Sequence, residues 1–202
     1  EEYTIYFKNL HTGELLPDRI ERTNDSAEWA GDSNTLFYTT LDHARRSDKV
    51  WRHRLGHTQQ EDEMLFHEAD ELYRIFLYKS KDRRYLILLV RSLETSEAYF
   101  LPASQPDGSF TLVEPRTSGV RYHIEHHDGR FFIVTNLQAP NFRIMTAPVT
   151  SSGKENWQEY LAHRESVLID SIDMFVKHLV VYEREKGLRT IRIIDLCQDR
   201  TC

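Results

Sequence analysis

The sequence predicts an all-β chain assembled from consecutive antiparallel sheets, and three observations carry that reading. Apolar residues come in runs of four to eight, rich in Val, Ile, Phe and Tyr, the side chains that pack well on a pleated surface. Turn chemistry separates the runs, at Gly31-Asp32, Asp107-Gly108, Asp128-Gly129 and Ser152-Gly153. The runs also repeat. First-strand starts at Ala27, Tyr73, Tyr122 and Ile172 are separated by 46, 49 and 50 residues.

Taken in order, Tyr3–Lys8 reads as the opening strand. Ala27-Glu-Trp-Ala leads through Asp32 to Thr35–Leu41, then Val50–Leu55 and Met64–His67. Tyr73–Tyr78 leads through Asp82 to Tyr85–Arg91, then Ala98–Leu101 and Phe110–Val113. Arg121–His126 leads through Asp128 to Phe131–Asn136 and Phe142–Ala147. Ile172–Phe175, His178–Glu183 and Thr190–Asp195 end the series. Helical periodicity is nearly absent: His43–Lys49 could form a turn of helix, and Trp157–His163 reads equally as helix or strand.

A period near 45–50 residues with about four strands per unit is what propeller blades require. The expected architecture is therefore a partial β-propeller of about four consecutive four-stranded antiparallel blades. Its expected divisions are a partial blade over 1–25, blades over 26–71, 72–120 and 121–166, and a partial blade over 167–202. A closed ring needs more blades, so the ring is expected to be incomplete.

Composition narrows the function. Lys and Arg total 26 against 32 Asp and Glu, a net charge of −6, the opposite of a nucleic-acid surface. No apolar run approaches a membrane span; the longest is Tyr85–Val90. Cys197 and Cys202 fit neither a zinc set nor a disulfide framework, which suggests a reducing, cytoplasmic setting. The opening Glu-Glu-Tyr-Thr-Ile-Tyr lacks a signal-peptide pattern and an initiator Met, so the chain reads as an excised piece.

Catalytic signatures are missing: the sequence holds no G-x-S-x-G elbow, no phosphate-binding P-loop and no G-x-G-x-x-G. No cofactor is expected. His123, Glu125 and His127 share a strand face at a spacing that could hold a metal, but without a second ligand group the reading is a solvated polar face and no metal. His67-Glu68 starts an H-E-x-x-H that never gains its second His. The arginines at strand ends read as edge charges that discourage aggregation, and Trp29, Trp51 and Trp157 as packing residues. In a propeller the first strand of each blade lines the central tunnel. With Tyr73, Ile75 and Leu77 packed inward, Arg74 faces the other way, and by the same reasoning so do His123 and Asp173. These three are the candidates for lining the tunnel or meeting a second domain.

Several segments carry a resemblance. Tyr6-Phe-Lys-Asn-Leu-His-Thr-Gly-Glu14, Val50-Trp-Arg-His-Arg-Leu-Gly56, Glu94-Thr-Ser-Glu97, Tyr122–Asp128, Asn141-Phe-Arg143 and Leu179-Val-Val-Tyr-Glu-Arg184 resemble the oligopeptidase B (protease II) branch of the prolyl oligopeptidase family of serine peptidases. The resemblance runs from about Tyr3 to Leu196. It implies an N-terminal propeller that caps a C-terminal α/β-hydrolase domain, admits short peptides and gates a Ser/Asp/His triad cleaving after Arg or Lys. No triad or specificity residue has a counterpart in this chain, so alone it is expected to be inactive. The implied partners are that hydrolase domain and, for the parent, short basic peptides. Self-association of the fragment through its terminal blades is also expected. The alternative is a stand-alone propeller that binds proteins or sugars, for which the reading frame beyond Cys202 would discriminate.

Overall fold

The computed structural model describes residues 1–197; Cys202 lies outside the described residues. Among the described residues the regular structure is sixteen strands and three single turns of 3-10 helix. The strands fall into four antiparallel sheets in chain order. The first contains β1 (Tyr3–Lys8), β2 (Leu15–Trp29), β3 (Thr35–Leu41), β4 (Ser47–Arg54) and β5 (Glu63–His67). The second contains β6 (Arg74–Lys79), β7 (Tyr85–Arg91), β8 (Ser96–Pro102) and β9 (Thr111–Glu114). The third contains β10 (Tyr122–His127), β11 (Arg130–Thr135), β12 (Arg143–Pro148) and β13 (Gln158–Leu161). The fourth holds β14 (Val167–Met174), β15 (His178–Glu185) and β16 (Leu188–Asp195).

Each strand pairs with its chain neighbour, the meander of propeller blades. Local chemistry sets the hairpins. Asp128 and Gly129 both take positive φ, 48° and 75°, giving the type I′ turn whose twist matches the flanking strands β10 and β11. Lys186 and Gly187 repeat the arrangement between β15 and β16 at 50° and 80°.

Two sheets depart from four strands. In the first, β2 pairs with β1 through Thr23 and with β3 from Thr23 to Trp29, with a register shift between Thr23 and Ala27. One strand thus joins an opening hairpin to the blade that follows. The first half of β2 carries little strand signal in the sequence, because Pro17, Asp18, Asn24 and Asp25 are poor strand formers. Among the described residues the fourth sheet has three strands, and β16 pairs there with β15 alone.

The ambiguous segments also resolve. His43–Lys49 is a tight turn entering β4, where the Asp42 carboxylate accepts the backbone N–H groups of Ala44 and Arg46, each at 2.8 Å, and the Arg46 side chain at 2.8 Å. An Asx-type turn therefore replaces the turn of helix. Trp157–His163 provides β13, an outer strand.

Each pair of successive sheets buries a separate apolar core. Phe37 and Val50 of the first sheet meet Ile75, Leu77, Leu86 and Leu88 of the second. The opposite face of the second, with Ile87, Leu89 and Phe100, meets Tyr122, Ile124, Phe131 and Ile133. Phe132, Val134 and Ile144 then meet Ile169, Leu179 and Val181. This is why β7 and β11 are apolar at successive positions: odd and even residues each face a neighbouring sheet. Phe7, Ile20, Leu36 and Tyr38 form a fourth core beneath the opening hairpin.

Candidate functional site on the inner strands

At the junctions between sheets β2 and β4 pack on β6, β10 packs on β8, and β14 packs on β10. Two clefts open at opposite ends of these strands. One, of about 720 Å³, lies at the hairpin-turn end and is bordered by Lys81, Asp82, His126, Asp128 and Phe175. The other, of about 570 Å³, lies at the entering end and is bordered by Arg91, Arg121, His123, Phe142 and Asp170.

The structure separates the three sequence candidates. Ile75 and Leu77 are buried, and Arg74, beside them on β6, is exposed and opposite Arg91 of β7. His123 is half-buried on β10 and borders the second cleft. Asp173 of β14 accepts a hydrogen bond from the Tyr182 hydroxyl at 3.0 Å and lies 3.5 Å from the Lys81 ammonium. Arg74 and His123 therefore share the neighbourhood of Arg91, while Asp173 belongs to a different cluster.

That second cluster joins three sheets. Lys81, in the turn after β6, donates its backbone N–H to Glu125 of β10 at 2.9 Å. Its ammonium reaches Asp173 and lies 5.2 Å from the Phe175 ring centroid. Burial raises the Glu125 pKa, and the nearby Asp82 and Asp173 charges push it the same way, against hydrogen bonds from Lys81 and His126. Glu125 was legible as the strand-face partner of His123. Lys81 was not, since it sits in a turn 92 residues from Asp173.

His126 points to the opposite face of β10 and is buried against Tyr85, with ring centroids 4.6 Å apart. Its Nδ1 lies 2.6 Å from Asp82 Oδ2, and its Nε2 accepts the Gly129 N–H at 3.2 Å. Only the neutral ring with its proton on Nδ1 satisfies both contacts. Burial accordingly lowers its pKa even beside Asp82. Among the described residues no group of three His, Cys, Asp or Glu side chains converges as a metal site.

His123 supplies a pH prediction. Burial, reinforced by the Arg91 charge, pushes it down to about 4. An unfolded histidine titrates near 6.5, so from there down to about pH 4 the unfolded chain binds a proton that the folded one refuses. Stability contributed by neutral His123 is thus present above about pH 6.5 and lost as pH falls through that window, by about 2 kcal/mol after allowing for its partial exposure. His126 adds in the same direction. His53 opposes it: burial disfavours its charge, but Asp62 and Asp18 hold its pKa above the ordinary value, so its contribution is full below 6.5 and fades as pH rises. Urea titrations at pH 7.5 and pH 5 should show a smaller pH-dependent loss for His123→Gln than for the parent. An unchanged difference would show that His123 does not carry it.

Comparison with known proteins agrees with the architecture. The family described as prolyl oligopeptidase, N-terminal beta-propeller domain, matches residues 1–202. Dipeptidyl aminopeptidase BI of Pseudoxanthomonas mexicana is 36% identical over 195 residues, 96% of this chain and 27% of its own. Protease 2 of Moraxella lacunata is 34% identical over 197 residues, 96% of this chain and 28% of its own. Oligopeptidase B from Leishmania major superposes with a TM-score of 0.91 at 33% identity, covering 96% of this chain and 28% of that one. Oligopeptidase B from Trypanosoma brucei, in a closed form with covalently bound antipain, gives 0.85 at 30% identity, covering 91% and 26%. The chain thus spans a little over a quarter of the length of these relatives.

Proposed function

The chain belongs to the prolyl oligopeptidase family, as part of its N-terminal β-propeller, and from that premise we propose that it gates and supports a cytoplasmic serine oligopeptidase cleaving short peptides after Arg or Lys. The observation carrying this reading is a whole-chain match, in sequence and in backbone, to little more than a quarter of proteins called protease 2 and oligopeptidase B. The chemistry would reside in a C-terminal α/β-hydrolase domain of the same polypeptide. This chain has no G-x-S-x-G elbow to hold a nucleophile, and attack on a peptide carbonyl needs one that is activated and positioned. The propeller's role is then steric and electrostatic: rigid sheets around a tunnel exclude folded proteins, and charged inner strands face whatever passes or docks.

The test compares two polypeptides. The complete protein should hydrolyse a fluorogenic amide after Arg or Lys, and residues 1–202 alone should not. A complete protein inert towards such amides would overturn the proposed activity. Turnover by the isolated chain, lost on replacing one of its own serines, would overturn the division of labour.

A further inference from the structure

Arg91 and Arg121 are exposed arginines on one cleft of about 570 Å³, and among the described residues neither guanidinium forms an ion pair or donates a hydrogen bond. Each instead lies over an aromatic ring: Arg91 is 4.8 Å from the Phe76 centroid and Arg121 is 4.9 Å from that of Phe142. Such stacking fixes the plane of a guanidinium while leaving its N–H edge free. Adjacency follows from the ladder. Arg91 pairs with Ser96, whose hydroxyl donates to the Tyr122 carbonyl at 2.6 Å, next to Arg121.

The carboxylates of the same cleft are already engaged. Asp170 is paired with Arg184 at 3.1 Å, and Glu125 accepts the backbone N–H groups of Lys81 and His126. Arg74 adds a third positive charge directly across the sheet from Arg91, a like-charged cross-strand pair that is unfavourable unless an anion offsets it. Such a concentration of unpaired guanidinium is unexpected in a chain of net charge −6. Tyr78, Phe142 and Ile172 line the remaining wall, so the cleft offers apolar surface beside two forks suited to a planar oxyanion.

We propose that this cleft binds the free C-terminal carboxylate of a peptide, with Arg91 and Arg121 on the two oxygens and the terminal apolar side chain against Phe142 and Ile172. The choice of a peptide rests on the peptidase reading above; the anion chemistry does not. A propeller holding a peptide by its carboxyl end selects for chain ends, and so for short substrates, independently of the residue cleaved.

The experiment uses the complete protein and a dansylated Ala-Ala-Phe-Phe in two forms, free acid and C-terminal amide, neither carrying Arg or Lys. The acid should bind about 10-fold more tightly than the amide, the scale of one charge-assisted hydrogen-bond pair. In Arg91→Gln/Arg121→Gln the two forms should bind alike. Arg121→Lys, which keeps the charge but loses the fork, should retain only part of the preference. Equal binding of acid and amide by the parent, or a preference that survives the double replacement, would overturn the assignment. So would displacement of the acid by inorganic phosphate as readily as by a second peptide acid, since the cleft would then be a general anion site. The readout is binding, so a protein with no activity after Arg or Lys could still show the preference, and the two readings fail separately.

Discussion

Arg116→Ala is expected to lower the stability of the fold by about 3–5 kcal/mol, the cost of stripping one partner from a buried ionic group. Arg116, between β9 and β10, places one nitrogen 2.5 Å from Glu68 and 2.5 Å from Glu97. Both carboxylates are buried, and Glu68 follows β5 of the first sheet while Glu97 lies on β8 of the second. The guanidinium also stacks 4.0 Å from the Tyr73 ring centroid. Removing it leaves two anions facing each other across a blade junction, beside a Tyr99 hydroxyl that already donates to Glu97 at 3.0 Å. Burial opposes the Arg116 charge, but its two carboxylate partners prevail and hold its pKa above the ordinary arginine value. Urea titration at pH 7 should register the loss. Most of it should return in the triple variant Arg116→Met/Glu68→Gln/Glu97→Gln, which removes the uncompensated charge while keeping acceptors for the Asp70 and Arg116 backbone N–H groups. A single variant within 1 kcal/mol of the parent would mean that water reaches the carboxylates.

Legibility in the sequence followed the physics of each element. The strands Tyr85–Arg91 and Arg130–Thr135 were visible because both faces are buried, which forces an unbroken apolar run. The blade repeat was visible because each sheet reuses one order of strands. The alternation on Tyr73–Tyr78 set Ile75 and Leu77 on one face and Arg74 on the other, and the first two are buried where Arg74 is exposed. The first half of β2 was hidden, since its hydrogen bonds to β1 impose extended backbone on residues that do not favour it. The ionic contacts were hidden for another reason. Arg116 with Glu68, and Lys81 with Asp173, connect residues 48 and 92 positions apart, and only the stacking of blades brings them together. Likewise the face shared by His123 and Glu125 could be read from period two, but the partners on it come from other sheets.

Prepared as a separate polypeptide, residues 1–202 are expected to self-associate through their terminal sheets, with an effect of several kcal/mol. The fourth sheet packs one face on the third through Leu179 and Val181. Its other face carries Val180 opposite Ile193 and Tyr182 opposite Ile191, with Ile191 and Ile193 65% and 66% exposed. Covering several hundred Å² of such surface is worth several kcal/mol at roughly 25 cal/mol per Å², from which the entropy of association must be subtracted. The edge of β16 that is unpaired among the described residues offers backbone hydrogen bonds as well, through which a second copy could add or exchange a strand. Arg189 and Lys186 near that edge oppose the contact, so association should strengthen as salt screens them. Light scattering over a wide concentration range should show mass rising with concentration, and Ile191→Lys/Ile193→Lys should keep the chain monomeric without loss of the folded signal. In the complete protein these residues would meet the next blade, so the same double replacement there should destabilise the propeller instead of changing its assembly. A parent chain that stays monomeric throughout and unfolds cooperatively would place the protection of this face within the chain itself.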